Sequence, residues 1–464
     1  VNSRSKRFHL MRSKQLFASL IHISPARTEV DELPSLALCS LVCAVFIGER
    51  VLQLRAHGSR DTISTPENAR TYAQLPRGRL FFLDGLRGFM ALVAVNYHFA
   101  ALFLPGSSSV WAYGYYLAVP MFFTLSGFMV PQAWVHSGSI AAAAGALVCR
   151  FSRLLAGAFG ACLAIWCLGM AVSGSTYPPW LEIRKVHCMT IAFPPAWPSS
   201  WCGSRGSDDI SMFWIIGVQL CGSLGLFIVG AGSIGIRAYL ERRYGDVVAD
   251  FGVVTYYALW LLACLWLFYV IPYFSQPPWI RHDSFVHYYF STVWYLSFLL
   301  GLALAEVYAA IERRGIQVPG LLASVFVAVC MVIVGFLWGM LMNIPRANIK
   351  ESLLLQLTLV SFAFLIVTIA LVSKCLQKLF AWGPVRFLGR ISFGLVLFHS
   401  SVMEHVARAQ LRPIATAVCS YGGAFAAAYA FTVVIDEPLN VRGVKWAQSM
   451  LCSHLPGQPP IVWK

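Results

Sequence analysis

In this chain of 464 residues, 58% are hydrophobic and only 12% are charged, about half the charged share of a soluble domain, which excludes a water-soluble globular enzyme. The formal charge of +15 invites a nucleic-acid reading, but no base-reading or phosphate-cradling motif accompanies it, and in so apolar a chain basic residues report membrane orientation instead. Thirteen cysteines fall mostly in apolar runs without CxxC or His/Cys ligand spacing, so they read as small packing residues and no metal is expected; Cys188 and Cys202, in one polar loop, are a disulfide candidate.

The chain opens on a basic, Ser-containing stretch with no acid before Glu29. This predicts a solvated cytosolic tail touching anionic headgroups, although the same composition imitates a mitochondrial transit peptide. Leu33 to Ile47 is apolar but short for a crossing, alternates with Ser and Cys, and ends in Gly48-Glu49-Arg50, so an interfacial helix is expected there. Residues 56–79, rich in turn formers, read as a linker. No signal peptide is evident in this segment.

A crossing helix needs about 20 mostly apolar residues. Scanning on that basis predicts spans near 80–104, 110–136, 154–173, 211–236, 250–273, 286–309, 320–343, 352–373, 387–407 and 414–436. The fold class expected is therefore all-α: a polytopic membrane helical bundle of about ten transmembrane helices, with a membrane domain over 80–437 between segments 1–79 and 438–464. With the N-terminus cytosolic, twenty-six Lys and Arg fall inside and eight outside, so both termini are expected in the cytosol. No internal repeat is visible, which weakens a reading as a transporter with paired halves.

The first span, LDGLRGFMALVAVNYHF from Leu83 to Phe99, keeps three ionisable groups. At 100° per residue, Asp84, Arg87, Ala91, Val95 and His98 share one face, flanked by Gly88 and Ala94. His98 lies about 16 Å beyond Arg87 along the axis, so Asp84 and His98 cannot meet on a straight helix. Two readings stand side by side. Asp84 and Arg87 can pair at i,i+3 while His98 bonds a neighbouring helix, or the face lines a functional cavity, as membrane-embedded ionisable groups often do.

DGLRG followed by a membrane-embedded His resembles the opening of the acyltransferase-3 family of integral-membrane O-acyltransferases. Four further segments follow in order: VPMFFTLSGFMV (Val119 to Val130), the pair Arg150 and Arg153, FLGRISFGLVLFHSSV (Phe387 to Val402) and VVIDEPLNVRG (Val433 to Gly443). Together they cover residues 80 to 443. The family commonly has a Trp followed five residues later by Glu; here Trp214 is followed by Gln219, which keeps the hydrogen-bonding shape without the charge, so no catalytic acid is expected there. The QLCGS that begins at Gln219 is similar to the variant of fungal members, and the Pro that often follows the Arg pair is absent.

The resemblance implies transfer of an acyl group from acyl-CoA, most simply acetyl-CoA, to a hydroxyl. That chemistry needs a general base in reach of the hydroxyl and donors where the oxyanion develops. His98 is the natural base by its near-neutral titration. His399, about 13 Å beyond Arg390 by helical rise and at similar depth, is the rival, unless it is a packing histidine held by a carbonyl or by Ser392, Ser400 or Ser401. Asp84 would help Arg87 organise the cytosolic mouth. Arg87, Arg150 and Arg153 suit the phosphates of CoA through bidentate bonds, against the plain alternative that they only report the inside of the membrane. Tyr116, Phe122, Phe123 and Ser126 are expected to pack the bundle. The acceptor is left open among a lipid, sterol, small metabolite or glycan hydroxyl, and so is the oligomeric state. The membrane is expected to be that of the endoplasmic reticulum or Golgi, or the plasma membrane. A transporter and a non-catalytic acyltransferase-like scaffold are the alternative functions.

Overall fold

The computed structural model describes residues 80–104, 108–135, 137–173, 214–275, 293–315, 320–342 and 353–442. The basic tail, the 33–47 helix, the 56–79 linker, the Cys188 and Cys202 loop and the segment beyond 442 lie outside the described residues.

Every element among the described residues is helical. In chain order they are α1 (Phe81–Phe103), α2 (Ser108–Met129), α3 (Gln132–Val135), α4 (Ile140–Ser173), α5 (Trp214–Tyr244), α6 (Asp246–Ser275), α7 (Val293–Arg313), α8 (Gly320–Met342), α9 (Leu353–Val372), α10 (Lys374–Phe380), α11 (Gly383–Arg408) and α12 (Pro413–Phe431). A π-helical turn, Thr432–Asp436, closes α12. Seven helices among the described residues are long and apolar enough to cross a bilayer, or eight if the pair bent by 95° at Ser373 counts as one span. The two remaining predicted spans stand apart for separate reasons. Leu322–Phe336 is apolar within α8, whose full 23 residues reach the length of a crossing, and α11 is diluted by Arg386, Arg390, Glu404 and Arg408.

Two helices overrun their predicted bounds. The span expected from 154 begins at Ile140, because the Ala-rich run Ala141 to Ala146 has high helix propensity outside the apolar window. The expected 237–250 loop shrinks to Gly245, since α5 runs to Tyr244 and α6 starts at Asp246. Gly245 has φ of +84°, a left-handed conformation that a Gly after a helix end adopts without a Cβ penalty.

Apolar surface drives little association between helices in lipid, so close packing of small residues must do it. The most extensive helix pair is α1 with α11. A Cβ on Gly85 would overlap the Phe380 carbonyl, one on Gly88 would overlap the Leu388–Gly389 backbone, and one on Gly389 would overlap the Asp84 carbonyl. α2 and α7 cross in the same way at Gly127 and Gly301. By contrast α6 and α8 turn large side chains outward, with Phe251, Trp266, Val332 and Phe336 all exposed, as lipid-facing helices do.

Ion pairs then tie helix ends together. Arg237 of α5 bonds Asp250 at 2.8 Å and Glu306 at 3.4 Å. Tyr257 donates to Glu306 at 3.2 Å, Arg314 meets Asp250 at 2.5 Å, and Arg313 reaches the Val135 carbonyl at 3.1 Å. The end of α5, the start of α6, the end of α7 and α3 therefore gather on one side of the bundle.

Candidate active site

The inner face of α1 is the one its spacing predicts. Asp84, Ala91 and Val95 are buried, Arg87 and His98 are half-buried, and Phe89 on the far side is exposed. The Gly88–Gly389 approach brings α11 against this face, and Arg87 uses it. Its Nε donates to Ser392 Oγ at 2.9 Å and its Nη2 to the Gly389 carbonyl at 3.0 Å. Asp84 Oδ1 lies 3.5 Å from the same guanidinium, so the i,i+3 pair exists but is the looser of the contacts. Ser392, expected as a partner of His399, holds Arg87 instead.

Arg150 and Arg153 sit well inside α4 rather than at its start. Three residues apart, they point to adjacent neighbours. Arg153 makes a bidentate bond to Asp436, 2.8 Å on each arm, and its guanidinium stands 5.8 Å from the Phe393 ring centre. Asp436 is buried, and the π-helical turn carries it. The extra residue per turn in such a bulge re-aims side chains, and these turns recur at functional sites. Beside it Glu437 grips Arg390 of α11 at 2.6 and 2.7 Å. Two consecutive carboxylates thus staple the end of α12 to α4 and to α11. Arg150 is held differently: Nε donates to Ser223 Oγ at 2.7 Å and Nη2 to Gln219 Oε1 at 3.4 Å.

All three arginines border one open cleft, together with Phe122, Ser126, Gln219, Ser392 and Phe393. Phe122 and Ser126 thus face the cleft, whereas Phe123 packs as expected, stacked 5.0 Å from Phe298. Guanidinium groups gathered at an open cleft are chemistry suited to a phosphorylated ligand.

The two histidines lie deeper. His399 is fully buried, about 10 Å beyond Ser392 by helical rise. Its ring centre stands 4.9 Å from that of His98, so residues read as rivals are neighbours. His399 Nδ1 lies 2.8 Å from the Leu395 carbonyl. A carbonyl only accepts, so the neutral ring carries its proton on Nδ1 and its lone pair on Nε2, and Nε2 is buried with no hydrogen-bond partner among the described residues. Tyr97 packs edge-on to His98 at 5.0 Å, and Tyr421 donates to the neighbouring Asn96 at 2.8 Å. Among the described residues no group of three or more His, Cys, Asp or Glu gathers to hold a metal.

Sequence reasoning singled out six residues but not the contacts that hold the three arginines: Ser392 on Arg87, Ser223 on Arg150 and Asp436 on Arg153. Asp436 had a signal, because a carboxylate inside a membrane helix demands a cation. Ser223 and Ser392 had none beyond their types.

A family model described as an acyltransferase domain matches residues 80–436. No curated protein and no solved structure matches the chain.

Proposed function

The chain belongs to the acyltransferase-3 family, and from that premise we propose that it is a multi-pass membrane O-acyltransferase, moving an acyl group, most simply acetyl, from acyl-CoA to a hydroxyl. Residues 80–437 form the catalytic membrane domain, between cytosolic segments 1–79 and 438–464, in the endoplasmic reticulum, Golgi or plasma membrane. The observation that carries the reading is the His98–His399 pair, with ring centres 4.9 Å apart, beyond a cleft bordered by three arginines.

On this reading the CoA phosphates lie at Arg87, Arg150 and Arg153, with Asp84 orienting Arg87, and the thioester arm reaches inward along α1 and α11. His98 takes the proton of the acceptor hydroxyl. The oxygen then bonds the thioester carbon, the tetrahedral intermediate collapses, the carbon–sulfur bond breaks, and CoA leaves as a thiol with the proton returned by His98. A second route, in which His98 briefly carries the acyl group, uses the same geometry. His399, with its lone pair on Nε2, stands beside His98 as a second proton acceptor at the same depth. The complete burial of His399 limits access of the water that would hydrolyse an acyl intermediate.

The test is release of CoA thiol from labelled acetyl-CoA by the purified full chain, with and without hydroxyl acceptors. Substrate flux in vesicles lacking acyl-CoA, without any transfer, would identify a carrier instead. Metabolite profiling of a deletion strain, read for products lighter by one acyl group, names the acceptor.

A further inference from the structure

At the end of α9 the chain turns by 95° into α10. A helix that crosses the bilayer and then turns through a right angle lays its continuation along the membrane surface. Ser373 fixes the turn by accepting from the Leu376 amide at 3.3 Å, and Gln377 Nε2 donates back to the Leu371 carbonyl at 2.7 Å. α10 buries Leu376 and Phe380, with Phe380 against Gly85 of α1, and leaves Lys374, Lys378 and Leu379 exposed. Trp382, between α10 and α11, is 62% exposed. In the first turn of α11 the Arg386 guanidinium stands 4.1 Å from the ring centre of Phe81, one turn before Gly85 on α1. The elbow from Lys374 to Arg386 therefore flanks the start of α1.

The charge on this elbow is one-sided. From Ser373 to Met403 the chain holds no Asp or Glu. Glu437 takes Arg390, but Lys374, Lys378 and Arg386 have no carboxylate within ion-pair distance among the described residues. Exposed Trp and Leu side chains beside such cations suit a phospholipid better than a soluble acidic partner. Its headgroup takes the cations while its apolar part takes the rings and methyls, and a Trp ring settles at the headgroup level. An Arg held against an aromatic ring also keeps N–H donors free for bidentate bonds to a phosphate. We propose that this elbow is a binding site for an anionic phospholipid. Arg386 takes the headgroup phosphate, Lys374 and Lys378 add charge, and Trp382 and Leu379 lie against the lipid. The site is outside the arginine cleft and does not depend on the acyl-transfer reading.

The experiment reads quenching of Trp382 in the purified full chain, in phosphatidylcholine nanodiscs to which phosphatidylserine with brominated acyl chains is added. Brominated phosphatidylcholine at the same fraction is the reference. The chain has fifteen tryptophans, so the Trp382 signal is the difference between wild type and Trp382→Phe. Phosphatidylserine should be preferred at Trp382 by about tenfold or more, and Lys374→Gln and Lys378→Gln should each lower that preference by about threefold to fivefold, the scale of one cation at an anionic surface. Arg386→Lys keeps the charge but loses the bidentate fork, and should lower it by about threefold. Arg242→Gln with Arg243→Gln, which removes two exposed cations at the end of α5, should leave it unchanged. Equal quenching by the two lipids would make the elbow an ordinary interfacial segment. Quenching by neither would mean that protein, such as the 1–79 segment, covers it. Equal loss in the Arg242 and Arg243 variant would mean diffuse surface charge, and wild-type preference in Arg386→Lys would mean no phosphate contact. Each of these four results would overturn the proposal, and the first two need no substitution at a cation.

Discussion

His98 of α1 and His399 of α11 stand with ring centres 4.9 Å apart and ring planes at 64°. The contact depends on the Gly88–Gly389 crossing, which draws the two helices together nearer the arginine cleft. Two imidazoles this close cannot both carry charge cheaply in a buried site, so one can accept a proton while the other stays neutral. General-base assistance is worth about 10²–10⁴ in rate. His98→Ala should therefore lower kcat by about 10²-fold or more, and His399→Ala by less, about tenfold. The double variant should fall little below His98→Ala, because residues acting as a unit are not additive. CoA release by monodisperse protein checks this, and wild-type turnover in His98→Ala would reduce the ring to packing.

The Arg153–Asp436 pair yields a prediction about stability. Asp436 is buried while Arg153 keeps 30% of its side chain exposed. Breaking a buried pair leaves one charge stranded and costs about 3–5 kcal/mol; the exposure of Arg153 puts the expected loss for Asp436→Asn near the lower end. Arg153→Gln, which strands the more buried partner, should cost more. The double variant should recover part of the loss, since no charge is left unpaired. Thermal unfolding in detergent measures all three, and a cost that simply adds would mean that the two side chains are not coupled.

The helix crossing can be tested apart from the chemistry. A Cβ at Gly389 would collide with the Asp84 backbone, and overpacking of this kind costs about 1–3 kcal/mol. Gly389→Ala should also loosen Arg87, whose Nη2 bonds the Gly389 carbonyl. Ser392→Ala removes the Nε contact at 2.9 Å, worth about 1.5–3 kcal/mol because the donor is charged, together with the hydroxyl's own bond to the Gly389 carbonyl at 2.8 Å. Gly389→Ala is expected to lower both melting temperature and acyl transfer. Ser392→Ala is expected to raise donor KM with the fold intact.

Much of the site was legible because it lies on single helices. The spacing of Asp84, Arg87 and His98 needs only a helical period, and the Arg150–Arg153 spacing is equally local. Helix ends were less legible: hydropathy measures the thickness of the bilayer, whereas α4 and α5 continue through Ala-rich and charged residues beyond it. The contacts between helices were not legible at all. Nothing local to Val433–Pro438 says that Asp436 meets Arg153, and nothing in either histidine helix says that the rings touch. Gln219 was visible as a departure from the family pattern, but the neutral setting it gives Arg150 required the partner to be seen.

The ion pairs also constrain topology in a way that charge counting does not. Asp250 at the start of α6 meets Arg313 and Arg314 at the end of α7, so the turns at Gly245 and Gly315 must share one side of the membrane. The Lys and Arg bias predicts that this side is the cytosol. A sequon-bearing insert at either turn should therefore escape glycosylation, while the same insert at the Ala409–Arg412 turn between α11 and α12 should be glycosylated. Because α5 runs unbroken to Tyr244, the insert belongs at Gly245 itself, and one placed at 237–241 would break a helix and Arg237's bond to Asp250. Glycosylation at one of the Gly245 and Gly315 turns but not the other would contradict the Asp250 cluster, whatever the orientation. Glycosylation at both, with none at Ala409–Arg412, would keep the cluster and reverse the bundle, moving the arginine cleft to the face where no acyl-CoA arrives.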